Sequence, residues 1–350
     1  MVIARPILCA VLGVTTATEA MSQSTQAQLG PFLKNVIQLD ADQIKAVDRG
    51  ELVTKQLPTQ EKAEIAAFGI VRVAGAPATL GERARDVQSF RKLSQVSAIG
   101  RFGNPPRVED LEALILDDVD FDLLKRCVPG KCGVKLNTGA IERIQKEVDW
   151  TAPDAKAQAT KLVKQLMVDY VQAYLKGGTD AMGVIVDKEQ PRTLSTEFLA
   201  LLSESPYLFE YLPAFSKYVR GYPQEELAGT EDILFWMKDN FGPKPVVSIH
   251  HATIHRPQGS GARLLLAFKQ IYASHFYNAG LEISVAVDAP DAEAKPGFYL
   301  LTLYRTRIDP PTGMLAGVVL GKVRGGIEKG VAEKLKTAKI LVANGNQSRR

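Results

Sequence analysis

The stretch after residue 245 narrows the fold more than any other part of the chain. Four strand-like segments follow one another closely, at 245–255, 262–276, 280–289 and 297–307. Turn-forming residues separate them: Pro257-Gln258-Gly259-Ser260-Gly261, then Asn278-Ala279-Gly280, then a proline-bounded stretch at 290–296. Glycine, proline and asparagine reverse a chain at low steric cost, and connections this short join antiparallel neighbours. In the third segment Leu281, Ile283, Val285 and Val287 alternate with Glu282, Ser284, Ala286 and Asp288. Side chains point alternately to the two faces of a strand, so one face is expected to be apolar and the other wetter. After the break Asp309-Pro310-Pro311-Thr312-Gly313, a long final helix is expected over 314–342. Its apolar row is Leu315, Val319, Val323, Ile327, Val331 and Leu335, flanked by Gly317, Gly321 and Gly325 with Gly326 and Gly330 nearby. Each glycine costs a helix about 0.8–1 kcal/mol against alanine. The row therefore predicts a surface or ligand that comes close to the helix backbone.

The first half of the chain alternates more. A helix is expected near 32–47, a strand over 64–73, a helical stretch over 79–93, and further strands at 96–102 and 111–116. Residues 109–116 also suit a helix. The middle is helical: 140–148, 155–175 and 193–202 carry apolar residues at helical spacing. Residues 206–222 are rich in rings (Tyr207, Phe209, Tyr211, Phe215, Tyr218 and Tyr222), and 231–241 adds Phe235 and Trp236 on an expected helix. Rings at such spacing belong to a core before they belong to a ligand site.

A chain of 350 residues with 45% hydrophobic and 23% charged residues can bury a sizeable core, which excludes disorder as its main state. The 43 basic and 39 acidic residues leave only +4, too little for a dedicated nucleic-acid binder. Arg5 and the apolar run at 6–14 resemble a secretion signal, taken as 1–20, with Thr18/Ala20 or Thr25/Ala27 as cleavage positions after Ala20 or Ala27. The run is too short to span a bilayer, which takes ~20 residues. An ordinary tail, or a start at Met21, is the alternative. Export predicts a periplasmic or secreted protein. Cys127 and Cys132 are then the only cysteines left, on either side of Pro129-Gly130. A local disulfide is the first reading, with free thiols or a functional pair as alternatives.

Taken together, these elements resemble the START-like, or SRPBCC, superfamily of helix-grip domains. The resemblance covers about 63–118 and 245–342. It rests on Phe68-Gly69-Ile70-Val71-Arg72-Val73-Ala74-Gly75-Ala76-Pro77 before the helical pair. The closing strand from Tyr299 through Tyr304-Arg305-Thr306-Arg307-Ile308-Asp309-Pro310-Pro311 carries the rest, with the helix behind it. It implies an α+β fold: an antiparallel sheet wrapped on the long C-terminal helix, with a helical subdomain inserted. The domains would be 28–118 and 244–342 for the helix-grip body, 119–243 for the insertion and 343–350 for a basic tail. It also implies a cavity for a hydrophobic, lipid-like molecule between sheet and final helix, bound without chemistry. Within that scheme His251, His255, Tyr272, His275, Tyr304 and Arg305 are candidate ligand-binding residues, and Gly321 and Gly325 keep the helix from filling the space.

The four histidines, His250, His251, His255 and His275, invite a metal reading. On a strand His250 and His251 point to opposite faces. His251 and His255 share a face about 13 Å apart, too far for one zinc ion. No metal or cofactor is expected. An enzyme using His251, His255 or His275 as acid/base is the alternative to binding, although no nucleophile elbow or phosphate loop is present. The acidic run Asp117, Asp118, Asp120 and Asp122 lacks the order of a calcium loop. A third reading is an envelope protein whose 207–222 rings contact a partner. The basic C-terminal helix, with Lys322, Arg324, Lys329, Lys334, Lys336 and Lys339, suits transient contact with a membrane.

Overall fold

The computed structural model describes residues 28–240, 244–258, 262–289 and 297–347. The expected signal at 1–20, both of its cleavage positions and residues 348–350 of the tail lie outside the described residues. After a helical turn at Phe32–Val36, helix α1 spans Ala41–Asp48. Asp40 caps it by accepting from the backbone N–H of Asp42 and Gln43. Strands β1 (Val53–Leu57) and β2 (Glu64–Ala74) form a hairpin. Helices α2 (Pro77–Arg85) and α3 (Val87–Phe90) follow, then strand β3 (Val96–Arg101). The chain next passes through α4 (Asp118–Lys125), α5 (Thr138–Glu147) and α6 (Ala155–Gly177). A small ribbon of β4 (Val184–Ile185) and β5 (Arg192–Thr193) precedes α7 (Leu194–Ser203), α8 (Pro206–Tyr211) and α9 (Pro213–Gly221). Strands β6 (Thr230–Asp239), β7 (Val246–His255), β8 (Ala262–Ala273), β9 (Tyr277–Asp288) and β10 (Gly297–Ile308) run on to the final helix α10 (Ala316–Gln347).

Eight strands form one antiparallel sheet in the order β1-β2-β10-β9-β8-β7-β6-β3. Strands β6 to β10 pair with one another in chain order, and β10 closes the meander onto β2, with Leu301 opposite Ile70. Helix α10 lies across one face, against β1, β2, β10 and α2. Its inner row (Ile327, Val331, Leu335, Ala338, Val342) joins Ile65, Val71, Phe298 and Leu300 in one core. At Gly69 the helix comes so close that a Cβ there would sit 2.6 Å from Leu335 and 2.8 Å from Val331. The opposite face is covered by the helices that the chain inserts between strands β3 and β6, over Trp236, Ile249, Leu265 and Ile283. The molecule is thus a mixed α+β protein with a large antiparallel sheet and a C-terminal helix.

Three local expectations are corrected. Residues 111–116 are no strand: a short helical turn, Val108–Leu111, ends there. Residues 230–239 are a strand rather than a helix, because the sheet is covered on both sides. Ile233, Phe235 and Met237 face α10 while Leu234 and Trp236 face the insertion, which hides the two-residue period. The face of β9 expected to be wetter is buried as well. Glu282 and Ser284 are 3% and 6% exposed, and they are satisfied inside the protein rather than by water.

Cys127 and Cys132 form a disulfide around the turn, where Gly130 adopts a positive φ of 83°. The bridged loop holds the β4 region through Gly130 N–H to Val186 O (2.7 Å) and Cys132 N–H to Asp187 O (2.9 Å). Replacing both cysteines by alanine is expected to lower stability by ~2 kcal/mol through loop entropy. A urea melt of the double variant against the oxidised parent checks this.

Candidate ligand-binding site

The two faces of the sheet offer very different spaces. Between the sheet and α10 lies a pocket of about 90 Å³ beside Arg91, His250, Phe268, Tyr304 and Lys334. Most of that interior is taken by a buried ion-pair chain. Arg91 Nη1 donates to Glu282 Oε1 at 2.7 Å, and Lys334 Nζ reaches the other oxygen at 2.5 Å. The Arg91 guanidinium stacks 4.3 Å above the Phe268 ring, and Lys334 lies 4.8 Å from the Tyr304 ring. Burial alone would raise the Glu282 pKa, but the two cations outweigh it and hold the carboxyl at about 2. The hollow expected between sheet and final helix is therefore small and polar. Small-molecule pockets span roughly 300–1,000 Å³, so this one has no room for a lipid-sized guest.

The large space lies on the other face. A cavity of about 690 Å³ opens between β7, β8 and the inserted elements α4, α5, α6 and β4. Its floor is Val247, Ile249, Tyr272 and Ser274 of the sheet. Helix α6 contributes Val163, Leu166, Met167, Tyr170 and Ala173, three or four residues apart and hence on one side of the helix. Val134, Ala140, Met182 and Ile185 extend the apolar wall, while Glu142, Arg143, Lys146 and Asp169 stand among the lining side chains.

The buried polar groups of its floor and inner wall are already engaged. The Tyr170 hydroxyl reaches Ile271 O at 2.5 Å and Met182 O at 3.1 Å. Tyr272 donates to Lys135 O at 2.9 Å. Lys135 Nζ binds Asn278 Oδ1 at 2.7 Å and Asp309 Oδ2 at 3.0 Å. Burial drives the pKa of both tyrosines up, so they remain neutral donors. The innermost wall therefore presents mostly apolar surface, with charged side chains standing at the more exposed part of the lining.

The candidate residues do not meet in one place. Tyr272 lines the large cavity. His251 and His255 are on the insertion face, away from α10. His251 Nε2 donates to Asp232 Oδ1 at 2.8 Å while its Nδ1 accepts from the Tyr174 hydroxyl at 2.9 Å. The Tyr218 hydroxyl and Thr253 complete the shell of Asp232. Burial lowers the His251 pKa despite Asp232, which keeps the ring neutral in this bonding pattern. His255 stacks on Phe215, with ring centroids 5.9 Å apart. His275 stands 3.5 Å from Asp120 in the turn after β8. Arg305 pairs with Glu64 on the insertion face, where Arg307 also joins Glu64 to Glu197 at 2.8 Å. Only Tyr304 points toward α10. At Gly321 and Gly325 a Cβ would meet nothing within 4 Å, so no part of the described protein approaches the row there.

The residues missed from sequence are those of the insertion: Ala140, Val163, Met167 and Tyr170. Their helical spacing was visible, but it reads equally as core. Among the described residues no group of three or more His, Cys, Asp or Glu is placed to hold a metal, and no helix is long and apolar enough to cross a membrane.

No family model matches the chain, and no curated protein matches it. Among solved structures it is similar to the Zhui aromatase/cyclase of Streptomyces sp. R1128, at 11% identity and a TM-score of 0.24, over 41% of this chain and 87% of that one. It is also similar to the di-domain aromatase/cyclase StfQ of the steffimycin biosynthetic pathway, at 11% identity and a TM-score of 0.23, over 79% of this chain and 98% of that one.

Proposed function

We propose that the chain is an exported, START-like protein that binds a hydrophobic small molecule in the cavity between its sheet and its inserted helices. The carrying observation is the cavity of about 690 Å³ with an apolar wall, whose buried tyrosine and lysine groups are hydrogen-bonded within the protein. The sheet order, with the first long strand beside the last and the final helix laid across, supports the helix-grip reading. The site lies on the insertion side of the sheet, where the room is, and not on the α10 side. Burial of apolar surface supplies ~25 cal/mol per Å², so a ligand of fatty-acid size gains several kcal/mol without any ionic contact.

Acid/base chemistry has less support. None of the four histidines lines the large cavity, and both ring nitrogens of His251 are occupied. The partner-contact reading is weakened in the same way: Phe215 and Tyr218 are buried, and Phe32 packs edge-on to Tyr211 with centroids 5.2 Å apart.

The test is direct. Native mass spectrometry of protein purified without detergent is expected to show a co-purified hydrophobic mass. The fluorescent fatty acid cis-parinaric acid is expected to bind the delipidated protein. Ala140→Trp, which plants a ring in the cavity, should weaken that binding by about tenfold or more, the equivalent of ~1.4 kcal/mol, with an unchanged melt. Binding that ignores this substitution would sink the proposal.

A further inference from the structure

We propose that the outward side of α10, at its N-terminal end, is a docking surface for an anionic lipid bilayer. This goes beyond the ligand-binding reading and rests on different residues. The helix presents two long sides. The inner one, with Leu320, Val323, Ile327, Val331 and Leu335, packs on the sheet core. At 100° per residue, Leu315, Val318, Val319, Lys322, Lys329 and Lys336 fall together on the opposite side.

The apolar end of that side is uncovered. Met314 is fully exposed, and Leu315, Val318 and Val319 are 67%, 58% and 44% exposed. Single exposed apolar residues are ordinary on a protein surface, but four within six consecutive positions form a patch that calls for a partner. Among the described residues nothing crowds the flank of this end of the helix either: a Cβ at Gly317 or Gly321 would meet nothing within 4 Å.

Charge decides the occupant. Between Asp309 and Glu328 there is no acidic residue, while Lys322 and Arg324 lie there. Lys322, Lys329 and Lys336 repeat every seven residues, are exposed, and have no ion-pair partner among the described residues. Glu333 shares the side but accepts from the backbone N–H of Ser94 at 3.1 Å. A short apolar patch that enters the acyl boundary, continued by lysines at headgroup level, is how an interfacial helix binds anionic lipid. A second copy placed face to face would set one lysine row against another.

Co-sedimentation of the full chain with vesicles tests this, using phosphatidylcholine alone or phosphatidylcholine with one quarter phosphatidylglycerol. Binding is expected to the anionic vesicles, at least about tenfold weaker to the neutral ones, and weaker as salt screens the lysines. The double variant Leu315→Asp/Val319→Asp should lose about tenfold or more of the partition onto anionic vesicles. Lys322→Glu/Lys329→Glu should lose it on those vesicles alone. All four positions are exposed, so circular-dichroism melts stay those of the parent and exclude misfolding. The apolar run at 6–14 is common to every variant, so differences between them report on α10. Equal partition onto both vesicle types, or an unaffected Leu315→Asp/Val319→Asp variant, overturns the proposal. So does a concentration-dependent dimer in sedimentation velocity that the same variant abolishes while partition is unaffected.

Discussion

Glu282→Gln is expected to destabilise the protein by ~3–5 kcal/mol, the usual cost of breaking a buried ion pair from one side. Glu282 bonds both Arg91 and Lys334, and its side chain is 3% exposed. An amide in its place leaves two cations under α10 without their counter-charge. The pH dependence follows from the direction of the shift. The carboxyl is held at about 2 in the folded protein against 4.5 in a free chain. Its contribution is therefore fully present above pH 4.5 and is lost as the pH falls toward 2. Parent and variant should differ most at neutral pH in urea melts and converge near pH 2. Replacing all three members by apolar residues (Arg91→Met, Glu282→Leu and Lys334→Met) should cost far less than the single change, because nothing charged is then left in the interior. A single variant as mild as the triple would show that the chain of charges contributes little.

Lys269→Met is expected to act in the opposite direction. Lys269 lies on β8 at 2% exposure. Its Nζ donates to Thr179 Oγ1 at 2.7 Å and sits 4.2 Å from the Phe198 ring centroid. Burial pulls its pKa down to about 7 from the ordinary 10.5. Below pH 7 the parent carries the ammonium into the interior beside the Phe198 ring, and its folded state bears the full desolvation penalty. Between pH 7 and 10.5 the unfolded chain binds a proton that the folded one does not, so parental stability rises toward the higher pH. Methionine removes the penalty and keeps the volume. Thr179 stays satisfied, since its hydroxyl donates to Arg220 O at 2.8 Å. The variant should gain on the order of 3–5 kcal/mol at pH 7, and the gap should close near pH 10. Guanidinium melts at the two pH values decide this, and a variant less stable than its parent at pH 7 would contradict it.

What was legible in the sequence was the part with short-range punctuation. The meander from β7 to β10 is marked by glycine and proline turns, and α10 by a long apolar row. Strand β6 was not legible, because helices on both faces of the sheet make Ile233 to Met237 one unbroken apolar run, and such a run fits a helix as well. The cavity was not legible for a related reason. Val163, Met167 and Tyr170 show which side of α6 turns inward, but the same pattern serves a helix packed solid and a helix facing a void. Only the distance to Ile249 and Tyr272 distinguishes them, and that distance is set by elements far away in sequence. Glu282 misled in its own way. A charge on an alternating strand marks the solvent side unless a cation waits on another element, and Arg91 lies far upstream.

The inserted helices leave the sheet at the end of β3 and return at the start of β6, two strands that are themselves paired, with Arg101 opposite Phe235 and Phe102 N–H bonded to Leu234 O at 2.9 Å. Residues 102–229 therefore leave from one strand and come back into its immediate neighbour in the sheet. A change in those helices would reshape the cavity they wall off and leave the order of the eight strands as it is.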